Sequence, residues 1–174
     1  MKILDATCGF KGIWYQKNHP FVTFMDCRKG IFDGKTDKQT FKNRRVVKIN
    51  PDVVSEWKDA PFPDDYFDMI VFDPPHLITK NRNAKLSQLQ KQYGVMYEDT
   101  WKHIMKEGID NLFKKLKPEG IFILKWCENN KRIDEVIRLF PYRPLFGSNT
   151  KSKGYTANYW IVFLKYRSEQ TLNI

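Results

Sequence analysis

The sequence predicts an α/β fold: a mostly parallel sheet with one antiparallel member near the C-terminus. Three observations predict it. Short β-branched and aromatic runs alternate with helical stretches or long polar connections, as parallel strands joined by crossovers require. The first five runs are each followed by polar or acidic residues, as strand ends at a ligand-binding rim are. The last two runs have only a loop between them, which admits an antiparallel pair.

Each element has its own signal. Ile3-Leu4 opens a very short first strand. Residues 10–18 read as a short helix. Phe21-Val22-Thr23-Phe24-Met25 is a β-branched and aromatic run, the second strand. Residues 28–45 read as a polar connection broken by Gly30 and Gly34. Val46-Val47-Lys48-Ile49 is the third strand, stopped by Asn50-Pro51, and Phe67–Phe72 is the fourth. Over residues 97–117, Trp101, Ile104, Met105, Ile109, Leu112, Phe113 and Leu116 recur at helical spacing. Pro118-Glu119-Gly120 ends that helix and turns into a fifth strand, Ile121–Leu124. Residues 130–139 give one more helix, and Leu145-Phe146 pairs with Tyr159–Tyr166.

Composition narrows the function. A chain of 174 residues suits a single domain, here 1–174, with no repeat, low-complexity tract or interdomain linker. With 41% hydrophobic and 15% aromatic residues, wholesale disorder is excluded. No apolar run approaches the roughly 18 residues of a membrane span, and Met1–Asp5 is no signal peptide. Three cysteines, an odd number, argue for a reducing cytoplasm, and no membrane partner is expected. The net charge is +10, and it is concentrated. Residues 28–45 carry +5, including Lys42, Arg44 and Arg45. Residues 79–96 carry +4 from Lys80, Arg82, Lys85 and Lys91, with no acid. Such local excess attracts phosphate backbones; solvated loops would show the same composition.

Polar residues at the strand ends form one rim. Asp5, Cys8, Gly9 and Phe10 follow the first strand; Asp26 and Cys27 the second; Asn50 and Asp52 the third. Asp73-Pro74-Pro75-His76 follows the fourth, and Lys125-Trp126-Cys127-Glu128 the fifth. Asp26 lies 21 residues after Asp5. Its two oxygens can accept both hydroxyls of a ribose. Gly9 permits close backbone approach. Asp5 can receive hydrogen bonds from its own loop or from a ligand amino group. Each acid alone reads equally as a turn residue.

Asp73-Pro74-Pro75-His76 is the sharpest signal. Two prolines fix the backbone and remove two N–H donors, so carbonyl oxygens stand free beside a carboxylate. That acceptor cluster suits a planar exocyclic amino group. His76 adds a flat ring for stacking or an imidazole for hydrogen bonding. The cysteines and His76 lack Cys-x-x-Cys spacing, and no metal is expected. Of the five tryptophans, Trp126 is the one whose position suggests a role at the rim rather than in the core.

The order Asp5-x-x-Cys8-Gly9, Asp26, then a strand and Asp73-Pro74-Pro75-His76 resembles class I S-adenosylmethionine-dependent methyltransferases. Within them it resembles small phage and bacterial amino-methyltransferases of nucleic acids, whose signature is (Asn/Asp/Ser)-Pro-Pro-aromatic. Pro63–Asp68 and Leu116–Gly120 resemble the stretches before that family's fourth and fifth strands. The likeness covers roughly residues 1–166.

The resemblance implies a Rossmann-like, seven-stranded sheet with helices on both faces and S-adenosylmethionine as cofactor. Asp5, Cys8, Gly9 and Phe10 would line its methionine side. Asp26 would hold the ribose, Cys27 would sit by the adenine, and Asn50 or Asp52 would approach the adenine amino group. Asp73, Pro74, Pro75 and His76 would hold the target amine, with adenine N6 in DNA leading and RNA the alternative. The sequence departs from the family in its glycine spacing, in His76, and in starting at the first strand. Segments 28–45 or 79–96 would then close the cofactor site and supply substrate contacts.

Lys125 admits three readings: a phosphate contact, a surface lysine, or a base for ribose 2′-O transfer. Two further classes are an inactive nucleic-acid-binding module on the same fold and a small-molecule methyltransferase.

Overall fold

The computed structural model describes residues 1–33, 46–83, 85–151 and 156–166. In chain order the first strands are β1 (Ile3–Asp5), β2 (Val22–Asp26), β3 (Gly30–Asp33), β4 (Val46–Ile49), β5 (Val53–Val54) and β6 (Phe67–Phe72). Then come β7 (Ile78–Thr79), helix α1 (Gln88–Tyr93), β8 (Met96–Tyr97), α2 (Trp101–Lys115), β9 (Leu116–Cys127), α3 (Ile133–Ile137), β10 (Phe146–Thr150) and β11 (Asn158–Leu164).

Seven strands form one sheet in the order β10-β11-β9-β6-β1-β2-β5. β1 pairs in parallel with both β2 and β6, and β6 in parallel with β9. β11 runs antiparallel to both of its neighbours, the single reversal that the sequence predicts.

Side-chain alternation along β9 sets the core. Phe122, Leu124 and Trp126 are fully buried against α2, whose Met105, Ile109 and Leu112 are also fully buried. Val136 of α3 and Phe140 join the same cluster. Lys165 closes the C-terminal end of α2: its Nζ donates to the carbonyls of Phe113 and Leu116 and pairs with Asp65.

Some expectations change. Residues 10–18 are turns, not a helix. The pairing of Val46–Ile49 with β3 is an antiparallel hairpin outside the main sheet, so it is not the third strand; two-residue β5 takes that place. The 28–45 connection begins with strand β3, and its residues 34–45 lie outside the described residues. Among the described residues, α2 and α3 pack on one face of the sheet, and on the other the turn segment around Trp14 covers Ile3, Val22 and Phe24. β9 is longer than predicted because Pro118-Glu119-Gly120 is absorbed as an irregularity, with a register shift opposite Phe67/Met69 and Glu119 at φ +63°.

Among the described residues no helix is long and apolar enough to cross a membrane, and no cluster of His, Cys, Asp and Glu could hold a metal ion.

Candidate active site

The carboxyl ends of β1, β2, β6 and β9 open into one cavity of about 640 Å³. Residues singled out in the sequence border it, among them Asp5, Cys8, Gly9, Phe10, Asp26, Cys27, Asp73 and Lys125. So do Pro74, Pro75, His76 and Arg82. Parallel strands bring these ends together because their polar loops can only leave on the sheet's rim.

Asp5 ends β1 and is 1% exposed. Its Oδ2 accepts from Trp14 Nε1 at 2.7 Å and its Oδ1 from the Thr7 amide at 3.2 Å. Burial pushes its carboxyl up to about 7 against the pull of those hydrogen bonds, with smaller contributions from Asp73 and Asp26. Gly9 sits at φ +50°, and a Cβ there would meet no atom within 4 Å, so the backbone is bare on the cavity side. Burial pushes the Cys8 thiol up, which makes it a packing group rather than a nucleophile.

Asp26 ends β2 and is 3% exposed. Its Oδ2 accepts from the Gly9 amide at 2.8 Å and from Arg28 Nη2 at 3.1 Å. Its Oδ1 accepts from the Arg28 amide and Arg28 Nε, both at 2.9 Å. Arg28 therefore occupies acceptor sites on both Asp26 oxygens.

Asp73 ends β6. Its amide donates to Thr7 Oγ1 at 2.9 Å, which ties the β6 loop to the β1 loop. Its Oδ2 accepts from Lys125 Nζ at 2.7 Å. Lys125 thus faces a carboxylate in the cavity. His76 lies between Tyr93 and Trp126, with centroids 6.4 and 6.3 Å away, and burial holds its imidazole below the ordinary range. Its Nδ1 is buried and has no partner among the described residues. Trp126 is fully buried behind His76 and does not border the cavity.

Arg82, Tyr93, Gly94 and Tyr97 of the segment after His76 also line the cavity. β7 and β8 pair in parallel across α1, whose Ser87 and Gln90 form a capping box. Gly94, at φ +83°, presses on Pro75: a Cβ there would lie 2.9 Å from Pro75 Cγ. Tyr93 meets Phe10 edge-on at 6.0 Å, joining this segment to the β1 loop. Arg82 lies over the Tyr97 ring at 4.3 Å and pairs with Asp99 at 2.8 Å. Lys80, Lys85 and Lys91 are exposed on the same segment.

Asn50 and Asp52 do not border the cavity. The Asp52 carboxylate instead accepts from the Phe24 amide at 2.9 Å, on the edge of β2. Glu56 and Trp57, just after β5, border the cavity beside Cys27 and were not singled out as site residues. They follow the true third strand, whose two valines are too short a signal to read. Lys42, Arg44 and Arg45 lie outside the described residues.

No family model matches the chain, and no curated protein does. Solved structures match it over nearly its whole length. One is the N-methyltransferase NodS of Bradyrhizobium japonicum: 12% identity, TM-score 0.55, covering 95% of this chain and 86% of that one. Another is an S-adenosylmethionine-dependent methyltransferase of Methanosarcina mazei: 12% identity, TM-score 0.53, 95% and 92%. A third is the 1,6-didemethyltoxoflavin-N1-methyltransferase of Burkholderia thailandensis, solved with its substrate and S-adenosylhomocysteine: 12% identity, TM-score 0.54, 95% and 71%. The chain has the class I methyltransferase fold, a Rossmann-like mixed sheet of seven strands. The [4+2]-cyclase SpnF also matches, at 10% identity and TM-score 0.53 over 95% of this chain and 74% of that one. Fold alone therefore does not decide the reaction; the site must.

Proposed function

We propose that the protein is an S-adenosylmethionine-dependent methyltransferase acting on an exocyclic amino group of a nucleic-acid base, with adenine N6 in DNA the first target and RNA the alternative. One observation carries the reading. Asp73, Pro74, Pro75 and His76 border the same cavity as Asp5, Gly9 and Asp26. A nucleoside-binding half and an acceptor cluster for a planar amine thus share one space.

The residues fit the cofactor. Asp26 offers two oxygens for a ribose diol once Arg28 swings away, and Gly9 leaves room for close approach. Cys27, Glu56 and Trp57 line the side where an adenine would lie, and Asp5 suits a cationic amino group. The bound cofactor supplies a methyl group on a sulfonium, a good leaving group.

The protein's task is alignment and charge stabilisation. Asp73 accepts a hydrogen bond from the amine and directs its lone pair at the methyl carbon. The cofactor would supply the methyl group and leave as its neutral thioether, and the nitrogen would give up one proton to solvent. His76, whose ring lies next to that of Tyr93 in the 77–100 segment, supplies a flat wall for the base. A base within a duplex would have to be flipped out to reach Asp73. The exposed Lys80, Lys85 and Lys91 support a polyanion lying across the mouth.

The Lys125–Asp73 pair also fits a ribose 2′-O reading, in which the lysine would take a hydroxyl proton. Labelled S-adenosylmethionine offered with duplex DNA, single-stranded DNA and RNA separates the two. Digestion and mass spectrometry should find methyl on an exocyclic nitrogen. Methyl on ribose would overturn the proposal in favour of the alternative. No transfer despite cofactor binding to the intact protein would leave a small-molecule acceptor in first place.

A further inference from the structure

Lys125 Nζ and Asp73 Oδ2 lie 2.7 Å apart on the cavity wall, with 21% and 22% of their side chains exposed. Among the described residues, this is the only hydrogen bond that either side chain makes. An ammonium has three donors and a carboxylate two oxygens. Asp73 Oδ1 and two N–H bonds of Lys125 therefore remain for a ligand. Acceptor and donor stand side by side, held by a charge-assisted bond.

Few acceptors match that pair. An amino group whose carbon also bears an unprotonated ring nitrogen offers a donor and a lone pair on one planar edge. Adenine has this edge at N6 and N1, and cytosine at N4 and N3. Guanine has it only on the N2/N3 side, and uracil and thymine have no amino group. An aliphatic amine or a ribose hydroxyl offers no such fixed, coplanar pair.

We propose that Asp73 and Lys125 read this cyclic-amidine edge together, with Asp73 taking the amino group and Lys125 donating to the neighbouring ring nitrogen. Lys125 is then a specificity-determining residue and not a phosphate contact. The assignment rests on the reading that Asp73 holds a base amine.

The test pairs a protein change with a base change. Wild type, Lys125→Met and Lys125→Arg are compared on oligonucleotides carrying either the methylated base or its deaza analogue, 1-deazaadenine for adenine or 3-deazacytosine for cytosine. Wild type should lose roughly 10- to 100-fold in kcat/KM on the deaza base, the range for one charge-assisted hydrogen bond. Lys125→Met should show a similar loss on the natural base and no further loss on the analogue. Lys125→Arg should recover part of the natural-base rate. Cofactor affinity and melting temperature, measured on all three proteins, should stay close to wild type.

Equal wild-type rates on natural and deaza bases overturn the assignment while leaving base methylation standing. So does a Lys125→Met loss that is the same on both bases and vanishes at high salt, the behaviour of a phosphate contact. Wild-type methyl on ribose overturns the proposed function itself, and this assignment with it.

Discussion

At the scale of single residues, three carboxylates line the cavity, and each is held differently. Asp73 is held by a lysine and left half free. Replacing it with alanine should lower methyl transfer at least about 100-fold, the order seen when one positioned polar group is lost from an active site. The fold should survive, since Asp73 is only partly buried. Near-wild-type activity of Asp73→Ala by mass-spectrometric assay would sink the mechanism.

Asp26 is held by Arg28, which on the proposed function would compete with a ribose for the same lone pairs. Arg28→Ala should therefore weaken the free protein by about 1–3 kcal/mol, because a buried carboxylate loses its partner. It should tighten cofactor binding for the same reason. Thermal melts with and without S-adenosylhomocysteine read both effects: a lower melting temperature without ligand and a larger rise with it.

Asp5 is held by burial. Its folded-state value is about 7 against an ordinary 3.8, so between those values the native state keeps a proton that the unfolded chain releases. Stability should therefore fall as pH rises from about 4 to about 7 and level off above. Asp5→Asn should remove that slope. A cationic cofactor group beside the ionised carboxylate should bind more tightly as pH climbs through 7. Calorimetric titration from pH 6 to 8 checks the second effect and melting curves the first.

At the scale of elements, helix α2 links the core to the cavity. Gly108 faces Trp57 so closely that a Cβ would fall 1.9 Å from the indole Cδ1. Trp57 in turn lines the cavity beside Cys27. Gly108→Ala must displace that indole. Overpacking of this kind costs about 1–3 kcal/mol, and here it should also loosen cofactor binding. A variant with unchanged melting temperature and cofactor affinity would show that α2 and the site are not coupled through this contact.

The 77–100 segment shows why some elements could be read from sequence and others could not. The α2 stripe is visible because its apolar positions repeat over several turns. β7, β8 and α1 are two, two and six residues long, too short for any period to register. They exist because Gly94 seats on Pro75 and Met96 pairs with Ile78, contacts that no local pattern announces. The hairpin of β3 and β4 misled for the opposite reason. Val46–Ile49 is a good strand pattern, and pattern does not say which sheet a strand joins.

At the scale of the whole molecule, charge is the property with a function-level consequence. The net charge is +10, and +4 of it sits on residues 79–96, a segment that contributes Arg82, Tyr93 and Gly94 to the cavity. Oligonucleotide affinity should fall steeply with salt. Replacing Lys80, Lys85 and Lys91 together with alanine should reduce the log–log salt slope by roughly 2–3, close to one unit per phosphate contact. Cofactor affinity should not change. A slope equal to wild type would move the nucleic-acid path elsewhere on the surface.

The sequence by itself determined the parallel sheet with its one reversed strand, and the carboxylates at the ends of β1, β2 and β6. Both come from local information: alternating apolar runs fix which residues enter the sheet, and the residues directly after each run must emerge on the rim. It also singled out Asp73-Pro74-Pro75-His76, because a rigid acceptor cluster is a property of consecutive residues. Only the tertiary structure decided that Arg28 sits on the Asp26 carboxylate, that Trp57 and Glu56 line the cavity, and that Asn50 and Asp52 do not. It gave the hydrogen bond between Lys125 and Asp73, residues 52 positions apart. Such contacts depend on how strand ends meet in space, and the linear order of residues carries no direct record of that.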